Sequence, residues 1–387
     1  MEKLVKKYAD KLASAGLAEP GAPLVGGLDA DLVWNRRAPD RGLLEEVFDK
    51  LSINSLVFSR PAEPYKSIID HLAKHSQGAL VPNDCETRTF LHDLPVAREF
   101  SSQAIVEALS RRKSVIIPGK GVVTFGTVSP EQGFVTFSSV CFACFVKFFA
   151  DYLRDLKDGK VNAAQQETFD RVVSLLSPPA PAPPRLMRGP FATNEEIQEA
   201  LCQAGRHTVE YGLVDSYFGN ISCLMGDTVY ISRTGSSLDE LEGMIDPCPM
   251  DGSSCAGLTA SSELTAHMEI YSRTQNRAVL HGHPKFAVIM SLDCDQKDCP
   301  VRGRCHLECP KERFVGDIPI VAGEVGTGPY GLWRTVPPAI KDRRGVIVYG
   351  HGVFTAAKDD FNKAFGSLLF VENMCREEYF ARVRARR

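Results

Sequence analysis

Three histidines in the second half of the sequence could bind a metal ion. His281 and His283 lie one residue apart in the apolar segment AVLHGHP, and His351 follows a second apolar segment in VIVYGHGVF. If the first segment is a β-strand, side chains two positions apart share a face, so both imidazoles can reach one ion. Three histidine ligands with an open fourth position are typical of catalytic zinc. The alternative is that each is an ordinary, partly buried polar residue at a strand end.

Three short motifs beside the histidines could hold an anion. They are GNIS at 219–222, SRTG at 232–235 and SSE at 261–263. Glycines let backbone N–H groups approach an anion, hydroxyls add donors, and a helix N-terminus favours negative charge. Each motif alone is better explained as turn or N-cap chemistry. Together they predict a phosphate site formed by Gly219, Asn220, Thr234, Gly235, Ser261 and Ser262.

Two buried strands and one helix must position these groups. The apolar segments around the histidines are typical of strands, and SELTAHMEIY is typical of a helix that begins at the two serines. His207 and His267 fall on predicted helices, where we interpret them as surface or packing residues.

The composition limits the class of protein. With 387 residues, 44% hydrophobic and 24% charged, the chain is long enough for two globular domains. The net charge of −3 does not favour nucleic-acid binding, and we find no segment of about 18 apolar residues to span a membrane. The first helix lacks the apolar core of a signal peptide, and the twelve cysteines are expected to be thiols or metal ligands. We therefore expect a cytoplasmic protein.

A proline-dense segment divides the chain. SLLSPPAPAPPRLMRGP begins at residue 174, and proline is excluded from helix interiors and central strands. Thr193 and Glu196 then form a capping-box pattern that opens a helix. We predict one domain at 1–174, a linker at 175–191 and a second domain at 192–387.

The two halves resemble each other in three collinear blocks, so we interpret the chain as a tandem repeat. The alternative is a chance similarity between two α/β domains. In this alignment Val81, Asn83 and Lys120 replace the three histidines, so the first domain is expected to be a degenerate copy without metal ligands. The matched blocks are 62–83 with 262–283, 91–97 with 315–321, and 110–126 with 341–357.

The motifs GNIS, SRTG, SSE, HGH and GHG, in this order, resemble those of the class II aldolase/adducin superfamily. The resemblance covers about residues 193–380 and implies a three-layer α/β/α domain with a mixed, largely antiparallel sheet. It implies that His281, His283 and His351 bind zinc or another divalent metal, that Glu263 is the acid–base residue, and that the glycine and hydroxyl motifs hold a substrate phosphate. Relatives form four-fold rings, so a homo-oligomer is expected: a dimer that imitates the ring, or a tetramer.

The implied function is a zinc-dependent lyase that cleaves a C–C bond of a small phosphorylated keto sugar through a metal-stabilised enediolate. The same machinery would serve a decarboxylase or an epimerase, and an adducin-like scaffold without catalysis is the non-enzymatic alternative. No tyrosine matches the proton donor of the aldolases, although Tyr330 is a candidate. That gap leaves the leaving-group acid unassigned.

A cysteine-rich segment departs from the family pattern. CDQKDCPVRGRCHLEC carries Cys294, Cys299, Cys305 and Cys309, a density that suggests a second site for zinc or an iron–sulfur cluster. The spacings match neither the usual zinc pairs nor the ferredoxin pattern, so unliganded thiols are the alternative.

Overall fold

The protein divides into two compact units in a computed structural model that describes residues 1–215, 217–296, 298–324 and 328–387. The units are Met1–Ser177 and Pro178–Arg387. No helix or strand lies between residues 176 and 193, where the prolines are concentrated.

Unit 1, Met1–Ser177, alternates strands and helices. In chain order its elements are α1 (Glu2–Ser14), β1 (Leu24–Leu28), β2 (Leu32–Trp34), α2 (Arg41–Lys50), β3 (Ser55–Ser59), α3 (Tyr65–Lys74), β4 (Ala79–Leu80), α4 (Cys85–Leu91), β5 (Leu94–Pro95), α5 (Ser102–Leu109), β6 (Ser114–Ile117), β7 (Gly121–Gly126), α6 (Pro130–Lys157) and α7 (Ala163–Leu175).

Five strands of unit 1 form an antiparallel sheet in the order β2-β1-β3-β7-β6. Because successive side chains of a strand point to opposite faces, Leu56 packs with α2 and α5, whereas Val57 faces α6. The sheet is therefore covered by helices on both faces.

The helix α6 is long and apolar enough to cross a membrane by length and composition alone, and it is the only such helix among the described residues. The expectation that no segment reaches this length is therefore wrong. However, 83% of its apolar window is buried inside the protein, as in the core helix of a globular domain.

Unit 2, Pro178–Arg387, carries all the candidate site residues. In chain order its elements are α8 (Asn194–Glu210), β8 (Asn220–Met225), β9 (Thr228–Ser232), β10 (Ile245–Pro249), α9 (Leu264–Arg273), β11 (Ala278–Gly282), α10 (Lys285–Leu292), β12 (Arg313–Val315), β13 (Ile318–Val321), α11 (Leu332–Ile340), β14 (Val346–Val348), β15 (Gly352–Ala357) and α12 (Phe361–Arg384), with a short 3₁₀ helix at Cys255–Leu258.

The sheet of unit 2 has eight strands in the order β10-β9-β8-β11-β15-β14-β13-β12, antiparallel except where β13 pairs with β14. Val279 and Phe354 pack with α9 and α11 on one face. Gly282, of opposite parity in β11, lies against Leu368 of α12 on the other face. The predicted mixed, largely antiparallel α/β architecture is confirmed for this unit. The capping box of Thr193 and Glu196 is also confirmed.

One block of the predicted alignment between the halves is wrong. β11, which carries His281, pairs with β15. The strand that pairs with β7 in unit 1 is β3, which precedes the block 62–83, while β4 pairs with β5 in a separate sheet. Val81 and Asn83 therefore do not hold the sheet positions that correspond to His281 and His283.

Candidate metal centre

Three imidazoles meet where β11 ends and β15 begins. One ligand nitrogen each from His281, His283 and His351 lie within 4.8 Å of one another, and all three side chains are buried. Within the described ranges, which omit residues 216, 297 and 325–327, this is the only group of three or more histidine, cysteine or acidic side chains with such an arrangement. The structure thus brings together the three histidines that the spacing singled out.

Strand pairing and a glycine fix the imidazole of His281. His281 lies opposite Phe354 in the β11–β15 pair, and their rings stack with centroids 4.0 Å apart. A Cβ atom at Gly352 would lie 2.4 Å from the Gly282 carbonyl oxygen and 2.8 Å from Cε1 of His281. A side chain at position 352 would therefore push the hairpin away from the histidine strand.

The turns that carry the other two histidines are held by α10 and α12. Directly after His283 and Pro284, α10 begins, and the backbone N–H groups of Phe286 and Ala287 each donate to Glu372 of α12 at 3.0 Å. Ser291 of α10 accepts the N–H of Gly350, the residue before His351, at 2.8 Å. Both histidine turns thus depend on one short helix.

The protonation of the imidazoles suits metal binding. Nδ1 of His281 lies 3.0 Å from the Val353 carbonyl oxygen, which can only accept, so in the neutral ring Nε2 keeps its lone pair. That lone pair points to Nε2 of His283, 2.9 Å away. Burial lowers the pKa of His281 to about 3 and that of His351 to about 4, so both rings are neutral near neutral pH.

The donor set fits a divalent transition metal such as zinc. Neutral imidazole nitrogens are the ligating form, and zinc accepts three of them while keeping an open position. Nδ1 of His283 is buried and has no hydrogen-bond partner. A buried polar atom without a partner is costly, so this orientation of the His283 ring needs a compensating interaction. Metal binding at the three imidazoles would supply one.

The carboxylate of Glu263 lies beside the imidazoles. Its Oε1 is 3.3 Å from Nε2 of His351, and its Oε2 is 3.6 Å from Nε2 of His281. Burial raises its pKa, while the nearby His351 imidazole and a 2.9 Å hydrogen bond from the Asn220 amide act in the opposite direction. A carboxylate so placed could exchange a proton with a molecule bound at the histidines.

A buried hydrogen-bond network supports Glu263, and it includes a histidine that we had interpreted as a surface or packing residue. His267 is fully buried and contacts Asn220 and Ser222, each at 2.6 Å, and Ser222 contacts Tyr271 at 2.6 Å. The signal for this network is in the sequence: positions 263, 267 and 271 are four apart, on one helix face. His207, by contrast, is half-buried beside Glu210.

The structure brings two of the three predicted phosphate motifs together. An isolated bridge between Arg233 and Ala260 aligns the segments, with Thr234 N–H donating to Thr259 and Ser261 N–H to Ser232. The exposed members next to this bridge are the Thr234 side chain, Gly235 and Ser262.

The GNIS motif has a different use. The Asn220 side chain is 6% exposed and bonds to Glu263 and His267, so its assignment to a phosphate stays a prediction. Gly219 has φ +83° and its position would place a Cβ 2.7 Å from the His281 carbonyl oxygen. This glycine permits close backbone packing.

The four cysteines of the cysteine-rich segment line one cavity of about 300 Å³ together with Arg313 and Arg382. They do not form a group with ligand atoms close enough to hold a metal, so the structure does not support the expected second site at Cys294, Cys299, Cys305 and Cys309. All twelve cysteines lie within the described ranges, and none of them forms a disulfide there. Tyr330, the candidate proton donor, is 40% exposed.

Comparison with known proteins identifies unit 2 as a family domain. Residues 199–379 match the class II aldolase and adducin N-terminal domain. Methylthioribulose-1-phosphate dehydratase of Gluconobacter oxydans is 29% identical over 174 residues, 42% of this chain and 81% of that protein. The crystal structure of L-fuculose-1-phosphate aldolase from Thermus thermophilus is 22% identical, covering 49% of this chain and 95% of that one, with a TM-score of 0.40.

A second relative matches a shorter part of the chain. L-fuculose phosphate aldolase of Methanococcus maripaludis is 31% identical over 144 residues, 36% of this chain and 73% of that protein. The family match lies entirely within unit 2, which carries the three histidines and Glu263. Through this C-terminal half, the chain belongs to the class II aldolase and adducin family.

Proposed function

We propose that this protein is a metal-dependent lyase that cleaves a C–C bond of a small phosphorylated keto sugar. The observation that carries the proposal is the meeting of three buried, neutral imidazoles with one buried carboxylate, Glu263. A scaffold would gain nothing from such an arrangement, because buried ionisable groups destabilise a fold unless they are paired.

His281, His283 and His351 would hold the metal, for which we propose zinc. A bound divalent ion would supply Lewis acidity, polarising a carbonyl oxygen. Glu263, as a carboxylate, would take the hydroxyl proton of the substrate while the adjacent C–C bond breaks, and return a proton to the new carbon nucleophile. Thr234, Gly235 and Ser262 would bind the phosphate, and the Ser261 N–H, which donates to the Ser232 carbonyl oxygen, helps to align their segments.

Dehydration is the second candidate, because the relative with 81% of its length aligned is named a methylthioribulose-1-phosphate dehydratase. Here Glu263 would remove a proton from the carbon next to the ketone, and the hydroxyl group on the following carbon would leave as water after protonation. In dehydration the Glu263 carboxylate would remove a proton from carbon, whereas in C–C cleavage it would remove one from a hydroxyl oxygen.

A panel of ketose phosphates distinguishes the two reactions. Aldol cleavage releases an aldehyde and a smaller ketose phosphate, whereas dehydration yields one dicarbonyl product of the original carbon number. Glu263→Gln should abolish either activity without loss of bound metal. The matched control is Glu269→Gln on the same helix, whose carboxylate pairs with Arg273. Full activity of Glu263→Gln would contradict the assigned role.

We also propose that unit 1 is a second copy of this fold without metal ligands. Its sheet order β2-β1-β3-β7-β6 parallels β9-β8-β11-β15-β14 of unit 2. The hairpins share their register, since Ile116 pairs with Val122 as Ile347 pairs with Val353. A parallel bridge from Val96 to Ile116 parallels the pairing of β13 with β14.

In this alignment Phe58, Arg60 and Lys120 take the places of His281, His283 and His351. The Arg60 guanidinium donates to the Gly119 carbonyl oxygen at 2.8 Å, so a hydrogen bond joins the two segments that a metal would join in unit 2. A chain with two such units could form a homodimer that imitates a four-fold ring. Sedimentation analysis should then show a dimer, and a fully active monomer would contradict this assembly.

A further inference from the structure

The buried network behind Glu263 has a definite direction. Asn220 Oδ1 lies 2.6 Å from Nε2 of His267 and can only accept a hydrogen bond, so Nε2 must carry the proton. Burial lowers the pKa of His267 to about 3, which leaves the ring neutral. Nδ1 is therefore an acceptor, and the Ser222 hydroxyl, 2.6 Å away, donates to it.

The remaining bonds follow from that assignment. Once the Ser222 proton points to His267, the Ser222 oxygen accepts from the Tyr271 hydroxyl at 2.6 Å. With its Oδ1 committed to His267, the Asn220 amide presents its NH₂ group to Oε2 of Glu263 at 2.9 Å. Every hydrogen bond in this chain therefore donates in the direction from Tyr271 toward Glu263. None of the five residues that form the chain is more than 6% exposed.

We propose that His267 is a positioning residue for Glu263: Tyr271 and Ser222 hold it in the Nε2–H tautomer, which turns the Asn220 amide so that its NH₂ group faces the carboxylate. The catalytic consequence rests on the proposed role of Glu263 as the acid–base group. In the opposite amide orientation, Oδ1 would face the Glu263 oxygen at hydrogen-bond distance, and two acceptors repel each other. His267 therefore decides whether Asn220 holds or displaces the carboxylate.

The tautomer can be tested without any activity. In the metal-loaded, full-length protein with ¹⁵N-labelled histidine, the His267 signals, assigned by their loss in His267→Gln, should show a protonated Nε2 and an unprotonated Nδ1. Ser222→Ala should relax this preference, because Nδ1 loses its donor. A protonated Nδ1 in the wild-type protein would overturn the proposal, whether or not a substrate has been found.

The positioning role can be tested by a split between kcat and KM. His267→Leu should lower kcat roughly 10- to 100-fold, as expected for loss of one hydrogen bond to a charged group, with KM and metal content near wild type. His267→Gln should recover much of this loss, because glutamine can donate to Asn220 and accept from Ser222. Should the leucine variant not fold, Ser222→Ala serves in its place, with a smaller fall in kcat.

The half-exposed His207 provides the control, and His207→Leu should keep wild-type kcat. A kcat of His267→Leu or Ser222→Ala equal to wild type, or a glutamine variant no better than leucine, would overturn the positioning role. If no ketose phosphate is turned over by the wild-type protein, the proposed function fails, whereas the tautomer measurement still tests the orientation of Asn220.

Discussion

Acidification should destabilise unit 2 through its buried neutral histidines, and His267 allows the effect to be measured one residue at a time. The folded pKa of His267 is about 3, against an ordinary 6.5, because burial disfavours the charged ring. Between these two values the unfolded chain binds the additional proton, so the stabilisation is present above about pH 6.5 and is lost as the pH falls toward 3. One such histidine accounts for a loss of about 2 kcal/mol between about pH 7 and about pH 5.

Unfolding of unit 2 alone can be observed, because the two tryptophans lie in different units. In a Trp34→Phe background, Trp333 is the remaining tryptophan, and it packs on the core beside α9. Urea unfolding of chelator-treated protein at about pH 7 and about pH 5 gives the acid-induced loss of unfolding free energy. His281 and His351 act in the same direction, so the parent protein should lose more than His267 alone accounts for.

In His267→Gln the acid-induced loss should be smaller than in the parent by about 2 kcal/mol, since glutamine does not titrate. His207→Gln removes a half-buried histidine from α8 of the same unit and controls for the substitution as such. An acid-induced loss in His267→Gln that equals the loss in the parent would refute the reasoning, because it would mean that His267 is not held neutral by burial.

Three further predictions concern the elements that hold the histidines. Gly352→Ala should lower zinc affinity in a chelator competition and destabilise unit 2 by about 1–3 kcal/mol, because its Cβ would lie 2.4 Å from the Gly282 carbonyl oxygen; Gly42→Ala, with no atom within 4 Å, should change neither quantity. Glu372→Ala should lower the unfolding free energy by about 1–3 kcal/mol, because two N–H groups of α10 lose their acceptor; an unchanged urea midpoint would contradict this. His283→Ala should abolish stoichiometric zinc binding, since it removes one of the three imidazoles that meet at the site; retained zinc at wild-type affinity would refute its role as a ligand.

Part of the site could be predicted from the sequence, because side chains in a strand return to the same face every two residues. His281 and His283 are two residues apart, so the face they share follows from local geometry alone. His351 could be joined to them only through a long-range pairing, and the resemblance to a family supplied that pairing. The position of Glu263 at the start of α9 was likewise near the prediction, although the helix begins at Leu264 without a serine cap.

The sequence failed where function depends on contacts between distant segments. Asn220 follows Gly219 at the start of β8, a position that indicates an anion site, yet its side chain is buried and bonds to Glu263 and to His267 of α9. His267 was interpreted as a surface or packing residue, and its burial agrees with packing, but nothing local shows that Ser222 lies opposite it. Val81 and Asn83 were misaligned because β11 was matched to the block 62–83 by sequence similarity. Strand pairing instead matches β11, which pairs with β15, to β3, which pairs with β7.

The spacing of Glu263, His267 and Tyr271 gives α9 two roles that cannot be separated. The three side chains are four residues apart, so they share one face, which is directed at β8. Asn220 and Ser222 are two residues apart in β8, so both of their side chains face this helix. The same helix contributes Ile270 to the hydrophobic core that α11 shares. A substitution that shifts α9 against the sheet would therefore move the carboxylate and its support together. Core packing between α9 and α11 thus helps to fix the distance from Glu263 to the histidines, as does Phe354 of the same core, which stacks on His281.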